Sequence, residues 1–310
     1  MSLGRTVALT DTGRKRRHNE DVYVVDPPIF AIADGMGGAK AGEVAAALAA
    51  DVLRGEGGSG EEALVTLIQE ANRRVYERAT EDAAKSGMGT TMTVALLEDS
   101  HVRIGHVGDS RAYLIRDGEL SQLTDDHSLV GELVRSGKLA PEDAETHPQR
   151  SVITRVLGTD PDVDVDTITI ETRSGDLFLL CSDGLYSMVG NERILELVER
   201  NRRDLDAAAK ALVAAANKGG GDDNITVVAF EIAPEGEAAP DDETAEDARP
   251  PEPALEEEDT LTELDQVPTV SAEPEEEPPA TIKPPRIVLA LLALLILAIA
   301  ASITIYLLVR

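Results

Sequence analysis

The 310-residue chain has no tryptophan, one cysteine and only 3 % aromatic residues. The lone Cys181 excludes an intrachain disulfide framework and any multi-thiolate metal site, and it fits a reducing compartment. Basic residues are scarce: 29 Lys plus Arg face 58 Asp plus Glu, for a net charge of −29. That balance argues against nucleic acid as a partner, because phosphate-backbone binding needs clustered Lys and Arg. The start, MSLGRTVALT, lacks the apolar core of a secretory signal peptide. The five histidines (His18, His101, His106, His127, His147) show no HExxH-type spacing, so a zinc hydrolase centre has no ligands to draw on.

What is present divides into three segments. Residues 233–286 hold 11 of the 16 prolines, and positions 233–282 carry 18 acids against one Arg. Such a stretch buries too little apolar surface to offset its ordering entropy and reads as an extended, disordered linker. Thr260, Thr262, Thr269 and Ser271 lie among its acids, as phosphoacceptors, docking positions or plain spacer. Residues 287–309, IVLALLALLILAIAASITIYLLV, are 23 positions without a charge. At ~1.5 Å per residue they reach ~35 Å, against a hydrocarbon core of ~30 Å, and so read as a transmembrane helix. Lys283 and Arg286 favour a cytoplasmic linker side. The expected organisation is a cytoplasmic domain, 1–232, carrying −15, on a single-pass cell-membrane anchor.

Within 1–232 the patterns alternate in type. Val22–Val25, Ile29–Ala33, Thr90–Leu97, Val102–Val107, Ala112–Arg116, Leu120–Leu123, Asp164–Ile170, Asp176–Cys181 and Asn224–Ile232 read as strands, with Asp117-Gly118 as a hairpin turn. Gly42–Leu53, Glu61–Arg78, Glu192–Arg200 and Leu205–Lys218 read as amphipathic helices. Residues 128–158 look helical or irregular around Pro141 and Pro148. Hairpin-linked strands covered by long helices imply an α+β layered fold with antiparallel sheets.

The chemistry lies in where the aspartates stand. Asp34 follows the apolar run Phe30–Ala33, and Asp183 follows Leu177–Cys181. Asp109 follows Val102–Val107, and Asp223 precedes the last strand. Each sits beside glycines that allow close backbone approach. Four such acids converging on one sheet edge repel unless protonated or metal-bound, and all-oxygen ligation suits Mg²⁺ or Mn²⁺. The cluster Arg14-Lys15-Arg16-Arg17-His18-Asn19-Glu20-Asp21 reads either as a solvated basic loop or as a phosphate contact beside a metal-binding acid pair, for which the arginine fork matches phosphate oxygens.

These residues, in order, resemble the metal-dependent protein phosphatases, the type 2C serine/threonine phosphatases. The strings are RKRRHNED (14–21), ADGMGG (33–38), GTTMTVALL (89–97), VGDSRAYLIRDGEL (107–120), LTDDHS (123–128), HPQRSVITRVLG (147–158), LLCSDGLYSMV (179–189) and GGDDNITVVAF (220–230). The DGMGG and GDSRAYL wording is similar to the bacterial branch, which includes membrane-anchored enzymes that oppose Ser/Thr kinases in signal transduction. The resemblance implies a central antiparallel β-sandwich flanked by helices, four layers αββα, in a monomeric catalytic domain. It implies hydrolysis of phosphoserine and phosphothreonine in proteins by a hydroxide bridging two Mn²⁺ or Mg²⁺ ions. Asp34 would bridge the ions, the Gly35 carbonyl would bind one, and Asp183 and Asp223 would complete the pair. Glu20 and Asp21 match the acidic pair that binds metal directly or through water. Arg16 falls on the phosphate-binding arginine, while Asp109, Asp183 and Ser151 match the ligands of a third metal. The segment 128–150 corresponds to a mobile flap. Some members carry a His directly after the DG as proton donor; here that position is Met36, which leaves a metal-bound water or His18. Cys181 falls outside the cysteine-phosphatase signature and reads as a small buried strand residue. The substrates implied are phosphorylated proteins, a Ser/Thr kinase among them. The competing readings are a pseudophosphatase that binds without hydrolysis and a small-molecule phosphohydrolase on the same fold.

Overall fold

The computed structural model describes residues 2–37, 41–54, 58–82, 85, 87–144 and 147–233. The acidic stretch from 234 on, its Thr and Ser candidates and the segment 287–309 lie outside them. Among the described residues no helix is long and apolar enough to cross a membrane. In chain order the first elements are β1 (Ser2–Asp11), β2 (Asp21–Asp26), β3 (Ile29–Met36), α1 (Ala41–Leu53), α2 (Glu61–Glu81), β4 (Gly89–Thr90), β5 (Met92–Glu98), β6 (His101–Val107), β7 (Arg111–Arg116) and β8 (Glu119–Gln122). Then follow α3 (Leu129–Arg135), α4 (Pro141–Ala144), β9 (Asp166–Glu171), β10 (Leu177–Cys181), α5 (Asp183–Tyr186), α6 (Asn191–Arg200), α7 (Leu205–Gly219) and β11 (Ile225–Ala233).

The strands form two antiparallel sheets, β1-β11-β10-β7-β8 and β2-β3-β5-β6-β9, with β4 appended to β3. Period-2 alternation explains the layering. On β10, Phe178 and Leu180 face the other sheet while Leu177, Leu179 and Cys181 face α5, α6 and α7. On β3, Phe30 and Ile32 point between the sheets while Ile29 and Ala31 meet α1 and α2. Central strands are therefore apolar on both faces, which is why their sequences read as unbroken runs. All three phenylalanines of the chain stack in the middle layer: Phe230 lies 4.1 Å from Phe30 and 5.1 Å from Phe178, centroid to centroid. The helices contribute the two outer cores, α2 through Leu64, Ile68, Ala71 and Val75 at helical spacing. The expected αββα layering is what these three cores build.

Several expectations need correction. β1 is absent from the sequence reading: its buried positions are Gly4 and Val7 alone, so no alternation marks it, and its pairing with β11 holds it in place. The run expected as one strand over Thr90–Leu97 breaks at Thr91, which turns its backbone N–H to the Asp34 carbonyl (2.9 Å). Asp34 lies inside β3 rather than after it, and Asp183 opens a short helix rather than a turn. β11 takes in Ala233, one residue past the expected boundary. The Asp117-Gly118 turn is as expected, both residues adopting positive φ (54° and 79°), the signature of a two-residue hairpin loop. The segment 128–158 holds α3, capped by the Ser128 hydroxyl accepting the Gly131 N–H (3.1 Å), and α4.

Candidate functional site

At one end of the sandwich β2, β3, the turn after β6, the start of α5 and the lead into β11 bring their acids together. Asp21 and Asp34 are cross-strand partners on β2 and β3. Asp21 is 7 % exposed, and its Oδ2 accepts from the Ser182 hydroxyl (2.7 Å) and the Thr226 hydroxyl (2.6 Å). Its other oxygen, Oδ1, is buried with no partner, and so is Oδ1 of Asp183. Asp109 is 5 % exposed. Asp223 accepts its neighbour Asn224 N–H on Oδ1 (2.9 Å) and Arg16 Nη2 on Oδ2 (2.7 Å).

The electrostatics report the crowding. Burial lifts the Asp34 carboxyl well above its ordinary value, and Asp21, Asp183, Asp109 and Asp223 add repulsion. Asp183 is lifted by burial, then by Asp109, Asp223 and Asp21. Burial pushes Asp21 up to about 6 and Asp109 up to about 7. The four aspartates singled out in the sequence thus share one field, and Asp21 joins them.

Glu20 and Gly35 meet at the start of α1. A Cβ on Gly42 would stand 2.6 Å from Glu20 Oε2 and 2.9 Å from the Gly35 carbonyl oxygen, so only glycine lets the two oxygens lie side by side there. Burial raises Glu20 too. Arg16 sits on the exposed loop between β1 and β2, its guanidinium turned toward the acids through Asp223, while Lys15 pairs with Asp222 at 2.7 Å. Met36 is 36 % exposed at the rim and offers no proton. Ser151 is exposed, in the segment between α4 and β9. Cys181 is buried in β10 with its thiol pushed up to about 12 by burial, as a packing residue should be.

The supports of the acids escaped the sequence reading. The Asp109 turn is gripped twice: His127 Nδ1 accepts the Gly108 N–H (3.0 Å) while the His127 N–H donates to the Gly108 carbonyl (2.8 Å). The Tyr186 hydroxyl donates to the Asp109 carbonyl (3.0 Å), and its ring lies under the Arg111 guanidinium, 3.5 Å away. Arg111 in turn forks onto both oxygens of Asp126 (2.9 and 2.7 Å). These residues sit in the LTDDHS, SDGLY and GDSRA strings, but their partners lie 15 to 77 positions away, and no spacing rule signals such pairs.

Among the described residues no three acidic, His or Cys side chains are already drawn into a cation cage. The donor set nonetheless fits a hard cation: carboxylate and carbonyl oxygens only, with two buried carboxylate oxygens lacking any protein donor. An αββα sandwich with an oxygen-rich, repelling acid cluster and an arginine fork at one end is the class the fold and site define.

Comparison with known proteins narrows that class. The Protein phosphatase 2C family profile matches residues 16–217. The serine/threonine phosphatase stp of Listeria welshimeri serovar 6b is 41 % identical over 237 residues, 72 % of this chain and 93 % of that protein. The crystal structure of the Mycobacterium tuberculosis serine/threonine phosphatase PstP/Ppp matches with a TM-score of 0.72 at 38 % identity, over 75 % of this chain and 100 % of that one. The catalytic domain of PstP in complex with two manganese ions matches with a TM-score of 0.69 at 37 % identity, over 75 % and 99 % of the two chains. The chain belongs to the protein phosphatase 2C family.

Proposed function

We propose that residues 1–232 form a monomeric protein-serine/threonine phosphatase that uses two Mn²⁺ or Mg²⁺ ions, with room for a third, and works at the cytoplasmic face of the cell membrane. The observation that carries the chemistry is the shared field of Asp21, Asp34, Asp109, Asp183 and Asp223 with two unpartnered buried oxygens, set against Arg16. Asp34, Asp183, Asp223 and the Gly35 carbonyl are the residues that would hold the pair. Glu20 and Asp21 stand beside it, and Asp109 belongs to the third position, with Ser151 brought in from the segment before β9.

Bound divalent ions supply a nucleophilic oxygen at neutral pH and offset the charge of the phosphate dianion. Arg16 orients the phosphoryl oxygens through two parallel donors, which sets the line of attack. The Cys181 thiol is no competing nucleophile, since it is buried and held protonated. The chain's substrates are phosphoproteins, a Ser/Thr kinase among them. The membrane reading is supported by the 23 uncharged residues 287–309 and by Lys283 and Arg286 before them, with 233–286 as tether.

Release of phosphate from a phosphothreonine peptide by the full chain tests the chemistry. EDTA should abolish it and Mn²⁺ restore it, while Asp183→Asn should cost about 10³-fold or more in kcat without unfolding the domain, a loss of at least ~4 kcal/mol of transition-state stabilisation. Activity surviving Asp183→Asn at saturating Mn²⁺ would overturn the assignment. Fractionation of cells expressing the full chain and a chain ending at residue 286 tests the anchor: only the former should sediment with membranes.

A further inference from the structure

We propose that Asn224 is the positioning residue that fixes the phosphate-binding arginine relative to the metal-binding acids. The side chain is 5 % exposed, and its amide is used on both ends. Nδ2 donates to the Thr12 carbonyl (3.0 Å) and to the His18 carbonyl (2.9 Å), and Oδ1 accepts the Glu20 N–H (2.8 Å). Those three backbone groups are the two shoulders of the loop that carries Arg16 and the first residue of the Glu20–Asp21 pair. One amide therefore closes the loop like a clasp, and it does so from the residue next to Asp223.

The same residue serves the acids through its backbone. Its N–H donates to Asp223 Oδ1 (2.9 Å), and its carbonyl accepts from the Ser182 hydroxyl that also holds Asp21. The loop has other attachments that do not involve the amide. Arg14 and Lys15 N–H donate to the Gly221 carbonyl (2.7 and 3.2 Å), and Gly13, at φ 80°, packs so closely that a Cβ there would meet the Asp223 carbonyl at 2.2 Å. These attachments hold the stem of the loop, and Asn19 Nδ2 donates across it to the Thr10 hydroxyl (2.8 Å), while Asn224 is the side chain that ties the Thr12 and His18 carbonyls and the Glu20 N–H to one amide. Removing the amide therefore leaves the loop tethered but lets Arg16 wander, and a displacement on the ångström scale at an orienting group is enough to cost much of the rate.

This inference rests on the reading of Arg16 as the phosphate fork, and a double-mutant cycle separates the two. The full chain in detergent is compared with Asn224→Ala, Arg16→Ala and the double variant, with Asn224→Ser as a milder substitution should the alanine not fold. Mn²⁺ binding is measured by calorimetry, inhibition by inorganic phosphate gives anion affinity, and kcat and KM are read on a phosphothreonine peptide. Asn224→Ala should weaken phosphate inhibition and lower kcat/KM by about tenfold or more, with Mn²⁺ affinity held within about threefold, and Arg16→Ala added to it should cost little more, because the two act as one unit. Losses that multiply in the double variant, or Mn²⁺ and phosphate affinities that fall together, would overturn the positioning role while leaving the phosphatase reading intact. An Arg16→Ala variant that keeps normal phosphate inhibition would instead overturn the fork itself, and this inference with it.

Discussion

The two flanks of the acid cluster are held in opposite ways. On the flank of Asp21 and Asp223, protein donors grip the carboxylate oxygens themselves: Ser182 and Thr226 on Asp21, Arg16 on Asp223. On the Asp109 flank the grip is on the backbone, from His127 on Gly108 and Tyr186 on the Asp109 carbonyl, with Arg111 and Asp126 as a buttress behind. A carboxylate held by its oxygens is positioned and partly neutralised at once. One whose distant supports reach only its peptide is positioned with less of its charge offset by the rest of the protein. The first flank fixes its carboxylates with hydrogen bonds that a cation must share or displace, leaving, among the described residues, only Asp21 Oδ1 without a protein donor there; on the second the long-range grip falls on the peptide of the turn.

Substitutions break this contrast in graded steps. Asp126→Ala leaves the Arg111 guanidinium, whose side chain is 19 % exposed, without its fork partner, and should cost about 3 kcal/mol by denaturant unfolding. His127→Ala orphans the buried Gly108 N–H and should cost about 1–3 kcal/mol and weaken Mn²⁺ at the third position, read by calorimetry. Asp34→Asn should go the other way: in EDTA its stability should equal the parent's or exceed it by up to about 1 kcal/mol, because one repelling acid is gone, while Mn²⁺ binding is lost. An Asp34→Asn domain that unfolds in EDTA would show the acids to be structural rather than strained.

The pH dependence of the metal-free domain follows the same division. Asp21 at about 6 and Asp109 at about 7 sit above their unfolded values of ~4, so the folded domain holds more protons than the unfolded chain in that interval. Their stabilising contribution is present at low pH and is lost as pH rises through about 6 to 7. His106, pushed down to about 4 by burial first and His127 second, acts oppositely, its contribution falling away as pH drops below its unfolded ~6.5. Above about pH 6.5 only the acids remain, so in EDTA the melting temperature should decline between pH 6.5 and 7.5. Excess Mn²⁺ should abolish that decline, a comparison made by scanning calorimetry.

Strong local signals made much of this readable from sequence. The Asp117-Gly118 hairpin, the α2 stripe and the doubly buried runs of β3 and β10 each state their own structure. Strand β1 does not, because its place is fixed by β11, more than 200 positions later. The site divides similarly. Aspartates at strand ends beside glycines announce Asp34, Asp109, Asp183 and Asp223. Asn224, Ser182, Thr226, His127 and Tyr186 do not announce themselves, since an amide, a hydroxyl or a ring acquires its role only from a partner far along the chain: Thr226 meets Asp21 across 205 positions. Ser151 is assigned by resemblance alone.

The pairing of β1 with β11 also fixes which way the domain faces. Ser2 lies opposite Ala233, while Asp11 lies opposite Ile225, beside the acids. Eight residue steps of ~3.3 Å carry β11 from Ile225 to Ala233, so both ends of the sandwich strand pair emerge ~26 Å from the chemistry, at the opposite pole. Strand β11 thus ends at the back of the domain. An immobilising tag joined directly after Ala233 would be attached at the pole opposite the acids and would leave the mouth of the site facing outward.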